Sequence, residues 1–116
     1  MAIEEVARTE PTAFTAEIQD EDGATVVLLA GELDISSAGA LREVLVLPEV
    51  VNASSVRIDL TKVEYLDSSG MGVLVSACKR IKASSGTFSV ACGQGEPRRA
   101  LEVSGLLEYL HVEDAA

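Results

Sequence analysis

The sequence predicts an α/β domain: a mixed β-sheet of four to five strands with its helices mainly on one face. Three observations carry this. Apolar residues alternate with period two in several short runs, they switch to helical spacing between those runs, and turn-forming residues punctuate each switch. At 116 residues and 47% hydrophobic, the chain suffices for one core and is too short for two.

The elements follow in order. "AFTAEIQ" alternates Phe14, Ala16 and Ile18 with more polar neighbours, "DEDG" supplies a hairpin turn, and "TVVLLA" is the second strand of an antiparallel pair. After "GELD", the run "ISSAGALREVLVLP" places Ala38, Leu41, Val44, Leu45 and Val46 at helical spacing until Pro48 prevents continuation, with Gly39 as a weak point. "SVRIDL" alternates Val56, Ile58 and Leu60 with Arg57 and Asp59, as a strand covered chiefly on one face does, and is expected to be central in the sheet.

From Ser69 the period changes, because Met71, Leu74, Val75, Cys78 and Ile81 recur at helical steps. This second helix ends near Gly86. Its Lys79, Arg80 and Lys82 gather where the negative end of the helix dipole favours cations, and a solvated helix end accounts for them without a ligand. "TFSVAC" is a further strand, "GEPRRALEVSG" a short helix with Pro97 near its start and Gly105 as its stop, and "LEYLHV" a last short strand. The predicted order is β-β-α-β-α-β-α-β, whose parallel pairs need right-handed crossovers. Low apolar content predicts a flexible segment over residues 1–12 and a frayed tail over 113–116, flanking a domain at 13–112.

Nine Lys and Arg against nineteen Asp and Glu give a formal net charge of −10, which argues against nucleic acid or an anionic membrane as the main partner. The surplus is partly N-terminal, since Arg8 is the only base between Glu4 and Asp22. No apolar run approaches the roughly 20 residues that span a bilayer, and "MAIEEVARTEP" has acids where a signal peptide carries bases. A soluble, cytoplasmic protein is the plain expectation. Cys78 and Cys92 lack CxxC spacing and fall within a predicted helix and strand, so they read as buried thiols, and one histidine leaves zinc chemistry little to work with. No metal and no cofactor are expected.

The stretch "EYLDSSGMGVLV", Glu64 to Val75, concentrates hydroxyls where strand becomes helix. Asp67, Ser68 and Ser69 are the residue types that cap a helix N-terminus by accepting from unpaired backbone N–H groups. Capping leaves Gly70 and Gly72 unexplained, because each costs about 1 kcal/mol relative to alanine inside a helix. Something gains from close approach there.

A nucleophilic serine hydrolase fits poorly. The GxSxG elbow needs glycine two residues before the nucleophile, where Leu66 precedes Ser68 and Asp67 precedes Ser69, and the sole candidate base, His111, has nothing to place it near Ser68. A nucleotide site fits no better, since no GxxxxGK[ST] run occurs and "GQG" at Gly93 to Gly95 is more simply a turn. The helix start would nonetheless welcome a phosphate carried covalently on a capping serine.

"GELD" at Gly31 to Asp34, "VEYLDSSGMGVLV" from Val63 and "RRALEVSGL" at Arg98 to Leu106 resemble, in order and spacing, the STAS-domain anti-sigma factor antagonists of bacteria. The likeness runs from about Ala13 to Val112, and DSSGxG is its specific part. It implies the STAS fold and a non-enzymatic switch. In that family the unphosphorylated antagonist binds an anti-sigma factor that is also a serine kinase of the histidine-kinase-like ATPase type, freeing a sigma factor for transcription. The kinase then phosphorylates the first serine of the motif, and a PP2C-type phosphatase restores it.

By position, the resemblance makes Ser68 the phosphoacceptor, flanked by Asp34 and Asp67, with Ser69, Gly70, Met71 and Gly72 in the partner-binding surface. Two of these have simpler readings: Asp34 as a cap of the first helix, and Met71, like Leu74, as core. Family members often carry a further C-terminal helix, which "LHVEDAA" does not supply. The competing class is a STAS module that keeps the fold but senses a small ligand such as a nucleotide within a larger signalling assembly.

Overall fold

The structure, a computed structural model, describes residues 3–9 and 13–115. The described chain forms β1 (Ile3–Thr9), β2 (Phe14–Glu21), β3 (Ala24–Leu33), α1 (Ala38–Leu45), α2 (Pro48–Val51), β4 (Ser55–Leu66), α3 (Ser68–Ala83), β5 (Thr87–Cys92), α4 (Glu96–Val103) and β6 (Val112–Asp114). The strands lie side by side in chain order. β1, β2 and β3 pair antiparallel, while β3 to β6 pair parallel. Successive right-handed crossovers that always advance the same way along a sheet leave their helices on one face.

Packing agrees with that placement. Phe14, Ala16, Val27, Leu29, Val56, Ile58, Leu60, Phe88 and Val90 join Leu41, Val44 and Leu45 of α1, Leu74, Ala77, Cys78 and Ile81 of α3, and Leu101 of α4 in one buried cluster. The alternate residues Thr15, Glu17, Arg57 and Ser89 face the other way and are partly exposed, and Arg57 pairs there with Glu113 at 3.2 Å. Burial pushes the Cys78 and Cys92 thiols up from their ordinary range, so both pack as neutral groups.

Several elements depart from expectation. The strand count is six, because Ile3–Thr9 pairs with β2 as an edge strand in a stretch whose own apolar content predicts none. α1 stops at Leu45 and Val46 is exposed; Pro48 opens the short α2 at a position where its missing N–H is harmless. β4 runs on to Leu66, beyond "SVRIDL".

The last strand is not "LEYLHV". Leu106 and Leu110 sit four apart, and the Leu110 N–H donates to the Leu106 carbonyl at 3.0 Å, closing a helical turn that delivers the chain to β6 two residues later. Glu113 and Asp114, expected to fray, pair with β5 instead. The Arg98 guanidinium holds the Asp114 carboxylate at 2.9 Å and the Cys92 carbonyl at 3.1 Å. Nor are Arg80 and Lys82 merely solvated. Arg80 donates to the Leu45 carbonyl at the end of α1, and Lys82 donates to the Tyr109 carbonyl at 3.0 Å with its ammonium 4.6 Å from that ring's centre.

Two turns show why the antiparallel half forms. Asp22 and Gly23, with φ of 52° and 87°, give the β2–β3 hairpin a turn whose twist matches its strands. At the other end of β3, Gly31 has a φ of +97°, and a Cβ there would lie 1.9 Å from the Ala13 carbonyl oxygen. That oxygen accepts from the Glu32 N–H at 2.7 Å, and the β3–β4 register shifts between Gly31 and Glu32. The glycine of "GELD" thus re-aims the end of β3. Gly31→Ala is expected to cost at least about 2 kcal/mol, from backbone strain and overpacking together. Gly39, with open space around it, is the control: Gly39→Ala should be neutral or stabilising in urea denaturation.

Candidate functional site

The site lies where parallel β3 and β4 end side by side. Leu33 and Leu66 are register partners, and the Asp67 N–H donates to the Leu33 carbonyl at 3.1 Å, tying the two strand ends together. Helix α3 starts one residue later. Asp67 is extended and caps it, its Oδ1 accepting from the Ser69 N–H at 2.9 Å and the Gly70 N–H at 3.4 Å. Such a cap contributes about 1 kcal/mol. Of the three candidate caps, the aspartate takes the role and leaves both serine hydroxyls without a hydrogen-bond partner among the described residues.

Ser68 is therefore the first helical residue, exposed, at the positive end of a 16-residue helix. Ser69 is half-buried. Gly70 is buried: a Cβ there would lie 2.9 Å from the Leu33 Cβ, the Leu33 carbonyl oxygen and the Leu66 Cδ1. Gly70 lets α3 sit against β3. Gly72 is the opposite case, exposed with nothing within 4 Å of a would-be Cβ, so no internal contact requires it. Met71 is half-buried against the core, between the two readings given above, while Leu74 is fully core.

Asp34 begins the turn between β3 and α1. Its Oδ1 accepts from the Ser36 hydroxyl at 2.6 Å and from the backbone N–H groups of Ser36 at 2.9 Å and Ser37 at 3.3 Å. These bonds, the Ser36 hydroxyl foremost, hold its carboxyl below the usual carboxylate range. Any stability from them is present above that range and is lost as pH falls through the lower folded value. Ser37, which sequence reading passed over, is buried. Its hydroxyl donates to the Glu32 carbonyl at 2.7 Å and accepts from the Asp34 N–H at 3.0 Å. Asp34 thus caps the turn while its Oδ2 takes no partner among the described residues.

His111, the base considered from the sequence, lies away from Ser68. It shares a shallow pocket with Lys82, Gly86 and Thr87 at the far end of α3, and Lys82 lies fourteen residues along the helix from Ser68, a rise of about 21 Å. The segments 32–37 and 64–72 contain no Lys or Arg, whereas Glu32, Asp34, Glu64 and Asp67 are all acidic. This arrangement presents a free hydroxyl on an acidic rim. No histidine among the described residues lies beside that hydroxyl to activate it.

The glycines separate by stability. Gly70→Ala is expected to destabilise by about 1 to 3 kcal/mol, through overpacking against Leu33 and Leu66. Gly72→Ala should stabilise by up to about 1 kcal/mol. Chemical denaturation of both variants beside wild type checks the pair; equal effects would contradict the packing described.

The STAS domain family pattern matches residues 15–115. The chain is similar to the anti-sigma-B factor antagonist of Bacillus subtilis, with 31% identity over 99 residues spanning 85% of this chain and 90% of that protein. It also resembles the crystal structure of an anti-sigma factor antagonist from Mycobacterium paratuberculosis, with a TM-score of 0.77 and 29% identity, covering 90% of this chain and 88% of that one. With the Bacillus cell fate determinant SpoIIAA in its phosphorylated form the fold is shared, at a TM-score of 0.65 and 20% identity over 87% of this chain and 91% of that one. Six strands in chain order, a DSSG helix start and a match across nearly the whole chain have one conclusion: the chain belongs to the STAS domain family.

Proposed function

We propose that this chain is an anti-sigma factor antagonist whose binding is switched by phosphorylation of Ser68. The unphosphorylated form binds an anti-sigma factor that is also a serine kinase of the histidine-kinase-like ATPase type, and so releases a sigma factor. Phosphorylation by that kinase ends binding, and a PP2C-type phosphatase restores it. The chain is a regulatory binding protein and not an enzyme, in keeping with its relatives. No helix among the described residues is long and apolar enough to cross a membrane; we place the switch in the cytoplasm, where sigma factors act.

The observation that carries this reading is the state of Ser68: exposed, first in α3 and with a hydroxyl that has no hydrogen-bond partner among the described residues. A phosphate there adds about −1.5 to −2 charges. The helix N-terminus accommodates it, so the fold need not change. The rim has no cation in either segment to neutralise it, and Asp34 and Asp67 already carry like charge. The cost therefore falls on the interface, where a change of about 1 to 3 kcal/mol weakens binding about 5- to 150-fold.

Titration against the cognate kinase with ADP, beside mass mapping of the phosphosite after incubation with ATP, tests this. Ser68→Ala is expected to bind yet resist phosphorylation, Ser68→Glu to bind at least several-fold more weakly, and Ser69→Ala to keep its phosphorylation site. Phosphate found on Ser69, or equal affinity of Ser68→Glu and wild type, would sink the assignment.

A further inference from the structure

We infer that Ile35 is a pre-positioned apolar anchor that selects the partner, seating in an apolar pocket rimmed by Lys or Arg on the anti-sigma factor. The inference rests on the function proposed above and names what the partner must present to this site. Ile35 is 81% exposed, in a turn that otherwise holds only acids and small hydroxyl residues. The fold does not use it. Leu33 before it and Ser37 and Ala38 after it are buried, while Ile35 itself is left outside the core.

The turn that displays it is closely held. Asp34 Oδ1 takes three donors from Ser36 and Ser37, the Ser37 and Ala38 N–H groups donate to the Asp34 carbonyl at 3.1 and 2.9 Å, and the Ser37 hydroxyl bridges the Asp34 N–H and the Glu32 carbonyl. A β-branched side chain on such a turn has little freedom left to lose on binding, the condition under which a buried anchor contributes most.

Its place ties it to the switch. Ile35 lies two residues beyond Leu33 and Ser68 two residues beyond Leu66, and those leucines are register partners on neighbouring strands, about 4.8 Å apart in a sheet. A partner that reaches the Ser68 hydroxyl therefore also covers Ile35. Charge identifies which partner. A second copy of this chain would bring Glu32, Asp34, Glu64 and Asp67 against the same acids, on a molecule with a net charge of −10. A pocket apolar at its centre and basic at its rim complements the site.

The experiment titrates wild type, Ile35→Ala, Ile35→Leu and Ile35→Asp against the same kinase with ADP, with thermal melting of each variant and sedimentation of the chain alone. All four should melt within about 2 °C of one another, as exposed positions do. Ile35→Ala should bind about tenfold more weakly, Ile35→Asp more weakly still, and Ile35→Leu within about threefold of wild type. The salt dependence of binding should be the same for wild type and Ile35→Ala, because the loss is apolar. If Ile35→Ala binds as wild type does while the Ser68 variants behave as proposed, the anchor is wrong and the switch stands. Absence of any wild-type binding overturns both. A dimer of the chain alone that Ile35→Ala dissolves would assign the pocket to a second copy and overturn the partner named here.

Discussion

The rest of the structure depends on how closely the first turn of α3 approaches the end of β3. Leu33 receives the Asp67 N–H, and Gly70 removes the side chain that would strike Leu33 and Leu66. Once this contact sets where the helix begins, its 3.6-residue period sets everything along it. Gly70, Val73, Leu74, Ala77, Cys78 and Ile81 turn inward, and Ser68, Gly72, Ser76 and Lys79 turn outward. A helix starting one residue later would move the hydroxyl off its exposed face. The exposure of Ser68 is thus a consequence of core packing two residues away.

The two ends of α3 are chemically opposite, and each is used. At its positive end the segments 32–37 and 64–72 bring no basic side chain, and the aspartate cap leaves a free hydroxyl in the dipole's field. At its negative end Arg80 and Lys82 reach the carbonyls of Leu45 and Tyr109, fastening α3 to α1 and to the segment before β6. These two cations lie nearly a helix length from Ser68. A phosphate can then arrive at Ser68 without disturbing the bonds that keep the helix in place.

The β3–α1 turn follows the same logic on a smaller scale. Gly31 bends the strand, Ser37 and Asp34 consume the backbone donors and acceptors of the turn, and what remains outward is Ile35 with one carboxylate oxygen. Rigid strand ends carry both turns, so the surface they share is held in shape before any partner arrives, which reduces the ordering cost of association.

Local chemistry was legible in the sequence. The Asp22–Gly23 turn, the alternation in β4, the period of α3 and the capping chemistry of Asp67 to Ser69 each depend on residues within a turn or two of one another. The cost of glycine in a helix marked Gly70 and Gly72 as needing an explanation. Only the tertiary structure separated them, because the explanation for Gly70 lies at Leu33, thirty-seven residues earlier, and Gly72 has no internal one. The edge strand β1 was not legible, since its order comes from hydrogen bonds offered by β2 and not from its own apolar content. The helical turn at Leu106 to Leu110 was misread as strand because a short apolar run carries either period. Burial, exposure and close approach are properties of pairs of residues far apart in the chain. A sequence read locally states which residues can cap, turn or alternate, and folding alone decides which of them are left facing a partner.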